Sequence, residues 1–155
     1  MADYRMGGQL ASLHATHAAI LRAVEEQRLR FVARWGGAWT VAPWGPDMGN
    51  ESDPDAPWLQ GWANVELRGA PEGVADREWS ASIDLSLNES PLTLRLVASI
   101  DLWRHGVAPE ILVTLPERAV THDDAPNEGV AMVGEILDAL DALLFAAAEP
   151  LASRP

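Results

Sequence analysis

Two residue types are missing from the chain: its 155 residues include no cysteine and no lysine. The absence of cysteine excludes disulfide bonds and thiol catalysis. The absence of lysine leaves arginine as every one of the 11 cationic side chains, against 23 acidic ones, for a formal net charge of -12. Because nucleic-acid binding depends on cations that displace counterions from phosphates, we expect no nucleic-acid partner and no anionic membrane partner.

The acidic balance favours a protein partner with a basic surface, if there is a macromolecular partner. The alternative is that the negative charge only keeps a small protein soluble. The start of the chain lacks the basic segment and apolar run of a secretory signal. The apolar run near the C-terminus is interrupted by Glu135, Asp138 and Asp141, so no membrane span is expected. We therefore predict a cytoplasmic location.

Sequence motifs of catalysis and phosphate binding are absent as well. The chain contains no G-x-S-x-G, G-x-x-x-x-G-K-[ST], G-x-G-x-x-G or H-E-x-x-H pattern. Many active sites are assembled from scattered residues, so this absence only makes an enzyme the less favoured function. We expect no cofactor.

Helices are predicted at both ends of the chain. The first spans about residues 9–34 and ends at Gly36–Gly37, where glycine permits a left-handed stop. The second follows Asp124 or Asn127, either of which suits an N-cap. Its apolar stripe is broad and runs from Val130 to Leu144. The positions that recur every three or four residues in the first helix are Leu10, Leu13, His17, Ile20 and Val24.

Between the helices, apolar and polar residues alternate with a period of two. The clearest runs are "GWANVELRG" (61–69), "EWSASIDLSL" (78–87) and "LTLRLVASIDLW" (92–103). Weaker strands are "AWTVAPW", ended by Pro43, and "EILVTL" (110–115). This alternation predicts an antiparallel sheet with one buried and one wet face. The side chains expected in the core are those of Trp79, Ile83, Leu85, Leu94, Leu96 and Ile100.

The predicted fold class is therefore α+β: an antiparallel five-stranded meander sheet with an N-terminal and a C-terminal helix packed on one face. We expect a single domain over 1–155, with a tail at 150–155. Residues 45–60 are predicted to be a long acidic, proline-rich loop that Trp44 and Trp58 anchor to the sheet. No register of this loop meets the ligand pattern of an EF-hand, and no metal is expected there.

The histidines offer weaker alternatives. His14 and His17 have a spacing that would allow one metal, but His17 lies on the apolar stripe, where a hydrogen-bonded core histidine is commoner. His122 precedes two aspartates that suit a helix cap. His105 lies in a predicted turn and would act as an acid or base only with partners the sequence does not identify.

Tryptophan provides the strongest indication of a functional surface. The chain has seven tryptophans but only one tyrosine and two phenylalanines. Trp79 has the parity of the core, whereas Trp62 and Trp103 have the parity of the polar face, where exposed aromatics are typical of interfaces. The alternative is that alternation breaks at strand ends and that loops cover both rings. The predicted partner-binding residues are Trp62, Trp103, Arg68, Arg95, Trp58, Asp53 and Asp55.

Three kinds of function fit these observations. The first is an acidic protein-binding domain that masks a basic partner, as immunity proteins and secretion chaperones do. The second is a carrier or enzyme of the helix-grip type, with a small apolar ligand between helix and sheet. The third is a homodimer formed through the helices. A packed core favours the first function, and an apolar cavity of several hundred Å³ favours the second.

Overall fold

The computed structural model describes residues 2–48, 61–87 and 93–154. The architecture is α+β, with one helix before and one helix after the strands of an antiparallel sheet, as the sequence predicts. The chain runs through α1 (Ala2–Trp35), β1 (Trp39–Met48), β2 (Gly61–Gly69), β3 (Arg77–Ser86), β4 (Thr93–Arg104), β5 (Val107–Thr114), β6 (Arg118–Thr121), α2 (Ala125–Ala147) and a 3₁₀ turn (Leu151–Ser153).

The sheet is a meander in which β1 to β5 lie side by side in chain order, each antiparallel to the next. The predicted pairing of β3 with β4 is confirmed, with Ile83 opposite Ala98 and Leu85 opposite Leu96. One strand was not predicted: β6 pairs with the first residues of β4, while β5 pairs with its last residues. Strands β5 and β6 therefore share one side of β4. The four residues of β6 are too few to show a period of two.

The core lies between the two helices and one face of the sheet. Burial alternates along β2 and β4, so that every second side chain meets the helices. Each of the six strand residues expected in the core is buried, and so are Leu13, Ile20 and Val24 of α1. The second helix contributes a long buried stripe, which consists of Ala125, Gly129, Met132, Val133, Ile136, Leu137, Leu140 and Leu144.

The helices approach closely at Gly129. A β-carbon placed there would lie 2.9 Å from the side chain of Ile20. This contact explains why the buried stripe of α2 passes through Gly129, whereas Val130, which the sequence assigns to the stripe, is largely exposed.

At the other end of α1, Trp35 connects the helices. Its ring is fully buried, and its indole N–H donates to Asp141 Oδ1 at 2.9 Å. Arg34 forms an ion pair with the same carboxylate at 3.2 Å and lies over the ring of Phe145. Gly36 then stops the helix with φ of 66°, as predicted. These contacts fix the end of α1 on α2.

Three boundaries differ from the prediction. Helix α1 begins at Ala2 rather than near residue 9, because a glycine in a long helix costs only about 1 kcal/mol relative to alanine. Strand β1 continues past Pro43 to Met48, since an edge strand tolerates a residue without an N–H. The predicted tail folds back, and the Arg154 guanidinium donates to the carbonyl oxygen of Glu72 at 3.0 Å.

Candidate functional site

The sheet has a face turned away from the helices, here called the outer face. Cross-strand pairs define it, because directly paired residues point to the same side of a sheet. One row joins Trp44 to Asn64 and Asp84, and another joins Arg68 to Ser80 and Asp101. No helix or strand within the described ranges packs on this face.

Two tryptophans project from one end of the outer face. Trp62 is 46% exposed, so its predicted outward orientation is confirmed. Trp44 is 57% exposed, and most of the loop that it was predicted to anchor lies outside the described residues. Trp44 is paired with Asn64, two residues from Trp62, so the two rings belong to diagonal neighbours on adjacent strands. Together they form an apolar patch that solvent reaches.

Trp103, which was predicted together with Trp62, is also on the outer face but is partly covered. The Arg68 guanidinium lies over its ring, 4.5 Å from the centroid. Arg68 Nε also donates to Glu78 Oε2 at 3.0 Å, and Glu78 is the direct cross-strand partner of Trp103. The sequence correctly predicted that Arg68 and Trp103 lie on the same face of the sheet. Their side chains contact each other, which leaves Trp103 less accessible than Trp62.

The other predicted site residues lie elsewhere. Arg95 is at the β4–β6 end of the face, where its Nη2 donates to Glu117 Oε2 at 2.8 Å. Asp53, Asp55 and Trp58 lie outside the described residues, as does most of the predicted acidic loop 45–60.

Asp101 is a feature that the site prediction did not include. Its Oδ1 is buried, and among the described residues no group donates a hydrogen bond to it. Burial, followed by the charge of nearby Asp84, raises the pKa of the Asp101 carboxyl above its usual value. Two residues along the same strand, the buried indole N–H of Trp103 also lacks an acceptor in the described part of the chain. The sequence shows that Asp101 points outward, but only the three-dimensional arrangement reveals its lack of a donor.

The described part of the outer face carries more negative than positive charge. Both of its arginines are already paired with carboxylates, whereas Asp101 has no paired cation among the described residues. An approaching cation therefore meets a net negative field. Along strands β1 to β4 the face carries the five carboxylates of Asp47, Glu66, Glu78, Asp84 and Asp101 and the two guanidiniums of Arg68 and Arg95.

A cleft of about 540 Å³ opens beside the outer face, where β1 begins and β2 ends. Its walls come from Gly37, Ala38 and Thr40, from residues 68–74 and from Glu78. The cleft is open to solvent and lies outside the apolar layer between helices and sheet. It is therefore not the cavity that a carrier of the helix-grip type needs.

The histidine positions do not converge on a common site. His17 is buried in the core, with its Nε2 3.0 Å from the carbonyl oxygen of Asn64, as expected of a core histidine, while His14 is exposed. Asp124 occupies the N-cap position of α2, but its carboxylate accepts from the Thr121 hydroxyl at 2.9 Å and caps no backbone N–H. His105 is exposed in a turn. Across the described residues, no three His, Cys, Asp or Glu side chains are grouped so as to hold a metal.

Neither α1 nor α2, over the residues described, combines the length and the apolar character needed to cross a bilayer. No protein-family model, curated protein or solved structure matches the chain.

Proposed function

We propose that the protein is a cytoplasmic protein-binding domain whose outer face masks a basic surface of a partner, in the manner of an immunity protein or a secretion chaperone. The observation that carries the proposal is the combination of two exposed tryptophans, Trp44 and Trp62, with an excess of carboxylates on the same uncovered face. Interfaces use aromatic side chains of this kind as anchors.

The aromatic and acidic groups have different roles in this proposal. Burial of Trp44 and Trp62 under a partner removes a large apolar area from water and supplies most of the affinity. The carboxylates, including Asp84 and Asp101, supply long-range attraction, which accelerates encounter with a basic protein and disfavours acidic competitors. The same negative field argues against a nucleic acid as the partner.

A carrier of a small apolar ligand has less support. The large side chains between the helices and the sheet are fully buried, including Leu67, Ile100 and Met132. The cleft near Gly69 is open and includes charged side chains on its walls. A homodimer through the helices stays a prediction from the sequence, without a specific contact to argue from.

The test begins with the partner. Tagged wild-type protein is used to capture proteins from a lysate of the native host, and the captured protein is then purified for kinetic measurements. Alanine at both Trp44 and Trp62 should weaken binding by at least thirtyfold, since truncation of one central aromatic typically costs about 2 kcal/mol or more. The wild-type association rate should fall steeply as salt rises.

A matched control is available on the opposite side of the molecule. Leu29 of α1 is 62% exposed and is distant from the outer face, so Leu29→Ala removes a comparable exposed apolar group without touching the proposed site. Both variants should keep the wild-type melting temperature within a few degrees. Unchanged binding by the double tryptophan variant, or an equal loss with Leu29→Ala, would show that the outer face is not the interface.

A further inference from the structure

The two edges of the sheet differ in their capacity to accept another strand. Strand β1 forms one edge and contains Pro43 and Pro46, neither of which has an N–H to donate. Its register with β2 also shifts between Trp44 and Asp47. Prolines and bulges are the devices by which natural proteins block edge-to-edge pairing. The β1 edge is therefore protected.

The opposite edge contains one proline, Pro109, and its register with β4 shifts at two places, but the five residues after Pro109 keep their N–H groups. From Glu110 to Thr114 the sequence of β5 is "EILVT", which has a high β-propensity, a single charge and no proline. Ile111 is 68% exposed. In the described part of the chain, β5 pairs with β4 on one side and with no strand on the other. Its outward N–H and C=O groups are therefore available to an extended peptide.

The unsatisfied carboxylate lies next to this edge. Ile111 is the direct cross-strand partner of Asp101, and both point to the outer face. A strand added beyond β5 would lie about 4.8 Å from β5 and about twice that from β4. An arginine side chain on the added strand, extended over Ile111, is long enough to cover this distance and pair with the Asp101 carboxylate. A guanidinium is also the donor best suited to a carboxylate.

We propose that β5 is a strand-addition site, at which an extended segment of a basic protein partner pairs with residues 110–114 and places an arginine on Asp101. This inference rests on the proposed function and specifies how the partner is held. Charge complementarity favours this occupant over a second copy of the chain, because each copy has a net charge of -12. The β5 edge of a second copy would also bring the carboxylate of Glu110, rather than a cation, towards the site.

The probe is a synthetic eight-residue peptide of alternating threonine and valine with one central arginine and blocked ends. Two controls have the same length: one replaces arginine by the neutral isostere citrulline, and one carries N-methyl groups along one edge of the peptide backbone. Binding is followed by amide chemical shifts of the isotope-labelled protein. The arginine peptide should perturb the amides of residues 110–114, and its Kd should be about tenfold lower than that of the citrulline peptide. The N-methylated peptide should not bind.

The protein variant Asp101→Asn keeps the size of the side chain and removes its charge. It should bind both the arginine and the citrulline peptide at β5 with equal affinity. If the wild type shows no preference for arginine, or if the shifts fall on β1 instead of β5, the inference is wrong. Concentration-dependent broadening at residues 110–114 without peptide would assign the edge to a second copy and likewise overturn it.

These outcomes separate the two proposals. If the double alanine variant of Trp44 and Trp62 loses partner binding and the peptides do not bind, the outer face is supported as the interface and the β5 site is rejected. Peptide binding at β5, together with normal partner binding by that variant, would retain the edge and reject the tryptophan patch.

Discussion

Asp141 and Asp138 allow a sharp test of what holds α1 on α2. Both are aspartates on the same helix, and each forms an ion pair with an arginine of α1. Their surroundings differ: the side chain of Asp138 is 76% exposed and lies 3.6 Å from Arg30, whereas that of Asp141 is 18% exposed. Asp141 also accepts the indole N–H of Trp35, whose residue is 0% exposed.

The expected effects of alanine at the two positions follow from these differences. Asp141→Ala removes a hydrogen bond to a charged acceptor and leaves the buried Trp35 N–H without a partner, for a cost of about 2–3 kcal/mol. Asp138→Ala removes an exposed ion pair worth about 0.5 kcal/mol or less. Both substitutions remove the same charge and gain the same helix propensity, so these contributions cancel between them. The difference of roughly 2 kcal/mol corresponds to a melting temperature lower by about 4–8 °C.

Thermal and urea denaturation of both variants measure this difference. A third variant, Trp35→Phe, keeps most of the buried ring and removes the N–H. In that background Asp141→Ala should reduce the free energy of unfolding much less than in the wild type, because phenylalanine has no buried N–H that would lose its acceptor. Equal melting temperatures for Asp141→Ala and Asp138→Ala, or an undiminished cost of Asp141→Ala in the Trp35→Phe background, would refute the hydrogen bond as the stabilising contact.

Two further predictions concern alanine in place of glycine at two positions, and asparagine in place of Asp101. Gly37→Ala should lower the free energy of unfolding in urea by more than about 2 kcal/mol, because φ is 82° and the new β-carbon would lie 2.1 Å from the carbonyl oxygen of Ala70. Gly134→Ala, in open space on α2, should raise the free energy of unfolding by up to about 1 kcal/mol in the same titration. Asp101→Asn should raise the melting temperature at pH 7, because it removes the charge of a carboxylate whose Oδ1 is buried without a donor among the described residues. Because the pKa of Asp101 is higher in the folded than in the unfolded protein, protonation of this carboxyl favours folding, and wild-type stability falls as pH rises through the folded-state pKa. The difference between Asp101→Asn and wild type should therefore vanish near pH 3, and a constant difference across pH would contradict the assignment.

The central strands could be predicted from sequence because the sheet has one buried face. Burial of every second residue in β2 and β4 requires the alternation that the sequence shows, and a slip of one residue would turn Val65 and Ile100 to solvent. Orientation of Trp62 and Trp103 followed from the same parity. The helices were recognisable for the corresponding reason, since each packs one face on the sheet.

The errors arose where long-range contacts or exposure override local pattern. Pro43 normally ends a strand, but its place on the β1 edge requires no N–H there. Trp44 was predicted as an anchor at the start of the acidic loop, whereas its pairing with Asn64 places it within β1 and on the outer face. Asp101 Oδ1 lacks a donor among the described residues, at a point where the register between β4 and β5 shifts. No property of the local sequence encodes that arrangement.

The position of α2 after the six strands of the described residues has a consequence for synthesis of the chain. Translation delivers α1 and then the strands in an order that lets each hairpin form as soon as its second strand emerges. Until α2 follows, α1 alone is available to cover the apolar side of the sheet, and Leu94, Leu96 and Ile100 lack part of their packing. A nascent chain that has passed β6 is thus the species most exposed to aggregation, and ribosome-associated chaperones would bind it there more strongly than at any earlier length.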